Sequence, residues 1–254
     1  MIPGGRGDER VNHWLSALEE RHLASLTPSE VARALRALSS CYVERRSRLA
    51  DGGALGSAGK RAAFSLFYAP LHLLTVRRIV QALGIAADRV KTIDDLGCGT
   101  GAAGAAWALE SQRARVSGID RNPWAVAEAN WTYRQLGIEG RAAQRDVSRT
   151  RLRATPHTGI VAGYVVNELS EAARGALLEQ LLDAHGRGAA VLVVEPIARG
   201  VTPWWPGWAH AFDQAGGRAE EWRFPAELPP RQRDLARAAG LRPQEFTART
   251  LFAG

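Results

Sequence analysis

Apolar residues recur along the chain in two rhythms, and the change between them falls near residue 90. Before it the spacing is helical. Val31, Leu35, Leu38 and Tyr42 stand three or four positions apart, the repeat of one face of a 3.6-residue helix. Thr27-Pro28-Ser29-Glu30 precedes them and reads as a capping box with proline at the first helical position. Asp51-Gly52-Gly53 breaks the pattern, and 53–59 reads as a flexible link. A second helical stretch is predicted over 60–83, split or kinked at Pro70 and ended by Gly84.

After residue 90 strand-like and helix-like segments alternate. Short runs at 90–96, 115–120, 142–147, 159–166 and 189–195 read as strands. The last is almost purely apolar, as a central parallel strand should be. Helices are predicted at 100–111, 123–136 and 171–184, with Ser170 capping the third. The loop from Pro203 to Trp208 leads into a further helix. Strands at 220–224 and 246–252 then flank a helix at 230–239, which Gly240 ends. The alternation predicts an α/β fold, a doubly wound and mostly parallel sheet with helices on both faces. It divides the chain into a helical N-terminal extension, 1–89, and a core, 90–254. There is no internal repeat.

Composition narrows the class. Of 254 residues 46% are apolar, enough for a sizeable core. The polar, Gly-rich start has no apolar stretch behind its charges. The longest apolar run, 189–194, is too short to span a bilayer. The expectation is a cytoplasmic protein with no membrane partner. The two cysteines, Cys41 and Cys98, match no metal-ligand spacing, so no metal site is expected. The net charge is +7, and residues 1–90 hold 13 Lys/Arg against 8 Asp/Glu. This excess ahead of the core suggests RNA contact through Arg-rich N-terminal helices. Only Lys60 and Lys91 are lysines, so the arginine bias also fits a compositional habit of the genome.

The sharpest motif is Asp95-Leu96-Gly97-Cys98-Gly99-Thr100-Gly101, between the first core strand and its helix. Glycines there let a ligand approach main-chain N–H groups at a helix N-terminus. Residues 99–104 also fit G-x-G-x-x-G. Asp95, however, would repel a pyrophosphate and suits a cationic, amino-bearing ligand. The motif resembles the first motif of class I S-adenosylmethionine-dependent methyltransferases. The resemblance covers about Val90 to Gly254 and implies a seven-stranded Rossmann-like sheet closed by an antiparallel hairpin, with S-adenosylmethionine as cofactor. It implies cofactor-binding roles for Asp95, Gly97, Cys98, Gly99 and Gly101 in the loop. Asp120, with Arg121 beside it, ends the second strand where the resemblance implies the ribose acid, and a helix cap is its plainer reading. The resemblance likewise implies an adenine contact for Asp146, with the Val147 N–H, although Asp146 also reads as a loop acid.

Methyl transfer from a sulfonium needs alignment and exclusion of water more than charged machinery. The strand-four end, Tyr164-Val165-Val166-Asn167-Glu168-Leu169, supplies the catalytic candidates Asn167 and Glu168. It is not the Asn-Pro-Pro-Tyr motif of many amino-directed nucleic-acid methyltransferases. Tyr68, Tyr164, Glu195, Trp204 and Trp205 are substrate-binding candidates, although a packed loop is the plainer reading of the tryptophans. Tyr68-Ala69-Pro70, Asn167-Glu168-Leu169 and Val194-Glu195-Pro196 together resemble the Rsm-type small-ribosomal-subunit methyltransferase-like family. That resemblance implies ribosomal RNA as acceptor. The family often carries a cysteine cluster after strand five, and 203–208 holds none. A small-molecule acceptor under a helical lid, and a SAM-binding ribosome-assembly factor without turnover, are the alternatives.

Overall fold

The computed structural model describes residues 6–44, 55–85, 88–111, 113–197 and 202–254, without the side chains of 6 and 40–44. The expected break at Asp51-Gly52-Gly53, the start of the 53–59 link and the side chains of Cys41 and Tyr42 lie outside these residues.

Four helices come first: α1 (Arg6–His22), α2 (Pro28–Glu44), α3 (Ala58–Ala63) and α4 (Ala69–Leu83). The capping box before α2 forms as expected. Thr27 Oγ1 accepts from the Glu30 N–H at 3.3 Å, and Glu30 Oε2 accepts from the Thr27 N–H at 2.8 Å. The expected disruption at Pro70 takes the form of a π-turn over Phe64–Tyr68, which joins α3 to α4. Proline has no N–H to give the carbonyl one α-turn earlier. The turn therefore widens, with the Ala69 N–H donating to the Phe64 carbonyl. The Leu66 carbonyl accepts from Gln232 Nε2 at 3.3 Å.

The sheet comprises β1 (Thr92–Leu96), β2 (Arg115–Asp120), β3 (Gly140–Gln144), β4 (Thr158–Gly163), β5 (Ala190–Glu195), β6 (Arg218–Pro225) and β7 (Glu245–Ala253). Their order is β3-β2-β1-β4-β5-β7-β6. All neighbours pair in parallel except β7, which runs antiparallel between β5 and β6. The crossover helices are α5 (Ala102–Glu110), α6 (Pro123–Gln135), α7 (Glu171–Gly186) and α8 (Trp205–Gln214), and α9 (Pro230–Ala238) links β6 to β7. This is the seven-stranded, doubly wound arrangement expected from the sequence. Two strands differ from expectation. β3 sits earlier, with Asp146 capping the short turn that follows. β4 stops at Gly163 because Tyr164 takes a left-handed φ of 61°, which no strand accommodates.

One apolar cluster joins the N-terminal helices to the sheet through Trp14, Leu35, Leu73, Trp107, Tyr133 and Phe246. The second lies on the other face, under α7 and α8, around Ile160, Leu181 and Phe212. Polar ties reinforce the first. Arg10 donates to the Leu136 and Gly137 carbonyls, and Arg36 to those of Ala238 and Ala239. Arg77 joins Asp8 to Glu110, and Arg78 pairs with Glu227. Buried Glu128 on α6 takes His22 at 2.6 Å and Arg21 at 3.2 Å. Among the described residues no helix is long and apolar enough to cross a membrane, and no His/Cys/Asp/Glu group could hold a metal.

Candidate functional site

A crevice of about 430 Å³ opens at the C-terminal ends of β1, β2, β4 and β5. In an open α/β sheet ligands bind there, where the strand order reverses, and the reversal here is at β1 and β4. The volume suits a small-molecule site.

The loop after β1 forms its floor. Gly97 has φ 64°, and a Cβ on it would lie 2.2 Å from Val165 Cγ2. Any side chain there would push the β1 and β4 loops apart. Asp95 is buried at the end of β1. Its Oδ2 accepts from the Gly104 N–H at 2.8 Å, while Oδ1 has no hydrogen-bond partner among the described residues. Burial raises its carboxyl to about 7, against the pull of that N–H and with a further push from Asp120. A cation placed on Oδ1 would restore the carboxylate. Asp120 closes β2. Its oxygens accept from the Gly99 N–H at 2.9 Å and the Asn122 N–H at 2.8 Å, which leaves each with a spare lone pair. Sequence reasoning took Asp120 as a ligand acid or a helix cap. The structure makes it a clamp on both loops whose free lone pairs line the crevice.

At the β4 and β5 edge, buried Glu195 accepts from the Val166 N–H at 3.0 Å and from Asn167 Nδ2 at 2.6 Å. Asn167 Oδ1 accepts from Trp204 Nε1 at 2.8 Å. Burial pushes the Glu195 carboxyl up to about 8, opposed by its hydrogen bonds and Arg249. Glu168 stands at the rim, 3.7 Å from Arg121 and 40% exposed. Partial burial raises it to about 7, with Arg121 pulling it down and Asp120 pushing it up.

Glu195 carries a pH signature. A free glutamate titrates near about 4.3. Raised to about 8 when folded, it holds a proton that the unfolded chain has lost. Stability from this group is therefore full below about pH 4 and drains away as pH rises through about 8. Glu195→Gln is expected to flatten the fall in denaturant midpoint over that window. An unchanged slope would mean that Glu195 is ionised in the native protein throughout it.

The far end of the crevice is aromatic. His72 on α4 stacks on Tyr164, with centroids 4.0 Å apart and planes at 17°. Phe64 and Tyr68 lie within about 6 Å of His72, and Phe246 of β7 also lines the wall. Burial lowers His72 to about 4, so it is neutral at pH 7.

The crevice brings together Tyr68, Asp95, Gly97, Cys98, Gly99, Asp120, Arg121, Tyr164, Asn167, Glu168 and Glu195. Five candidates do not line it. Gly101 is the N-cap of α5. Asp146 holds the Ser148 N–H and hydroxyl, and Val147 is buried beneath it. Trp204 reaches the site only through Asn167, and Trp205 lies under the Arg249 guanidinium, 4.0 Å from its ring centroid. Sequence reasoning missed Phe64, His72 and Asn122 among others. Phe64 and His72 stand four residues either side of Tyr68, so helical spacing from Tyr68 could have found them. Nothing local could have found Phe246.

The family model of the methyltransferase small domain matches residues 78–157. No curated protein matches the chain. Among solved structures, a mitomycin 7-O-methyltransferase is 14% identical and covers 94% of this chain and 71% of its own, with a TM-score of 0.54. A precorrin-6y C5,15-methyltransferase from Geobacter metallireducens is 11% identical and covers 70% of this chain and 86% of its own, with a TM-score of 0.46. A candidate RNA methyltransferase from Pyrococcus horikoshii is 14% identical and covers 72% and 83%, with a TM-score of 0.46. At these identities the likeness is one of fold.

Proposed function

We propose that this chain is a class I S-adenosylmethionine-dependent methyltransferase that methylates a small planar acceptor seated between the aromatic wall and the glycine loop. The observation that carries this is the continuity of the crevice. One end offers Asp95, Asp120 and the glycine loop, and the other offers Phe64, Tyr68, His72, Tyr164 and Phe246.

The residues present fit S-adenosylmethionine. Asp95 Oδ1, without a partner among the described residues, suits its ammonium group, and the spare lone pairs of Asp120 suit paired hydroxyls. Gly99 meets nothing within 4 Å where a Cβ would point, so the loop backbone is open to a ligand. When bound, the cofactor supplies a methyl group on a good leaving group. The chain has to align an acceptor, keep out water and take up a proton. Glu168, raised to about 7, is poised for the last task near neutral pH.

Among the described residues, five arginines expected to face RNA tie helices to the core: Arg10, Arg21, Arg36, Arg77 and Arg78 all hold internal partners. This favours the small acceptor. Calorimetric titration with S-adenosylmethionine and, in parallel, NAD tests the site. Heat from the first and none from the second is expected, and the reverse would remove the cofactor assignment. Tight ribosomal RNA binding that falls steeply with salt would move the acceptor to RNA.

A further inference from the structure

We infer that Asn167 is locked as a hydrogen-bond donor toward the acceptor, so that the site takes a hydroxylated aromatic compound, methylated on oxygen, rather than an aromatic amine. The inference rests on the aromatic-pocket reading above and adds the identity of the reacting atom.

The orientation of the Asn167 amide is set from both sides. An indole N–H can only donate. Trp204 Nε1, 2.8 Å away, therefore identifies the amide oxygen and turns the amide nitrogen toward Glu195, whose Oε2 lies 2.6 Å from it. Glu195 is itself held by the Val166 N–H and is buried at the end of β5, so the amide cannot turn without breaking two hydrogen bonds. One amide N–H goes to Glu195. The second is left for whatever fills the crevice that Asn167 lines.

A donor at this point suits an oxygen nucleophile. A phenolic oxygen has one lone pair to attack with and another to accept the Asn167 N–H, and that bond strengthens as the hydroxyl proton leaves and negative charge develops on the oxygen. An amine differs. Its single useful lone pair must attack, which leaves nothing on the amine nitrogen to accept the Asn167 N–H. In the transfer the O–CH3 bond forms as the C–S bond breaks, with the bonding pair returning to sulfur. The hydroxyl proton passes to the Glu168 carboxylate and on to solvent. Glu195 and Trp204 act here as positioning residues.

The test uses 4-nitrophenol and 4-nitroaniline, which share size and ring, with the full chain saturated by S-adenosylhomocysteine. Binding is followed by absorbance and calorimetry. The phenol should bind at least tenfold more tightly than the amine. Trp204→Phe keeps a ring but frees the amide to turn, and should cut that preference severalfold. Asn167→Leu should abolish it, with S-adenosylhomocysteine affinity and melting temperature checked in both variants. A merely structural role would weaken both probes equally. Equal binding of the two probes by the unaltered protein, or a preference untouched by both substitutions, overturns the donor assignment alone. Binding of neither probe, with S-adenosylhomocysteine still bound, overturns the aromatic-pocket reading and the inference with it.

Discussion

Asp120→Ala is expected to weaken S-adenosylmethionine binding at least tenfold, about 1.4 kcal/mol. With the cofactor seated as proposed, the substitution removes a ligand contact and a loop clamp together. In the native protein the carboxylate holds the Gly99 N–H with one oxygen and the Asn122 N–H with the other, and so fixes the loops after β1 and β2 against each other. Alanine leaves both donors without their carboxylate, at roughly 1 kcal/mol each. Asp120→Asn separates the contributions. Its one remaining acceptor can keep a single loop tie, so its melting temperature should fall less than that of the alanine variant while ligand affinity still drops. Calorimetry of both variants decides the matter, and unchanged affinity in Asp120→Ala would remove Asp120 from the binding site.

Trp14→Ala is expected to destabilise the protein by about 3–5 kcal/mol, the usual cost of deleting a large buried aromatic side chain. Trp14 lies on α1 and is fully buried. It belongs to the same apolar cluster as Trp107 and Tyr133, which pack against the sheet. Its indole N–H has no partner among the described residues, so the loss is one of packing. Because the cluster is shared, unfolding should remain a single transition, shifted to lower denaturant, with the slope preserved. A small early transition, with the main one unmoved, would instead show that the helices before residue 90 fold apart from the sheet.

Much of this architecture was legible in the sequence where local chemistry decides. β2 falls on 115–120 as read, because Arg115 to Asp120 is a short strand-like run between turn signals. The box at Thr27–Glu30 forms because both partners lie three residues apart. The glycine loop and Asp120 were legible because their spacing encodes a strand, a turn and a helix. The reading failed where distant residues decide. Tyr164 looked like strand, yet it turns left-handed where its ring meets His72, 92 positions earlier in the chain. The surplus of arginine was visible, but its destinations were not: Arg36 serves carbonyls about 200 positions away. Trp204 was visible as a loop aromatic, but its hold on Asn167 depends on where β4 and β5 place their ends.

The π-turn at Phe64–Tyr68 also sets the phase of the aromatic wall. In an unbroken α-helix each residue advances about 100°, so the step from position 64 to 72 would turn about 800° and leave the two side chains some 80° apart. An i→i+5 turn absorbs one extra residue. The same step then advances as about seven α-residues would, roughly 700°, within about 20° of two full revolutions. Phe64 and His72 consequently fall nearly in line down the helix with Tyr68 between them, and the three rings lie about 6 Å from one another. One surplus residue, accommodated beside Pro70, brings together two rings that a regular helix would have set some 80° apart.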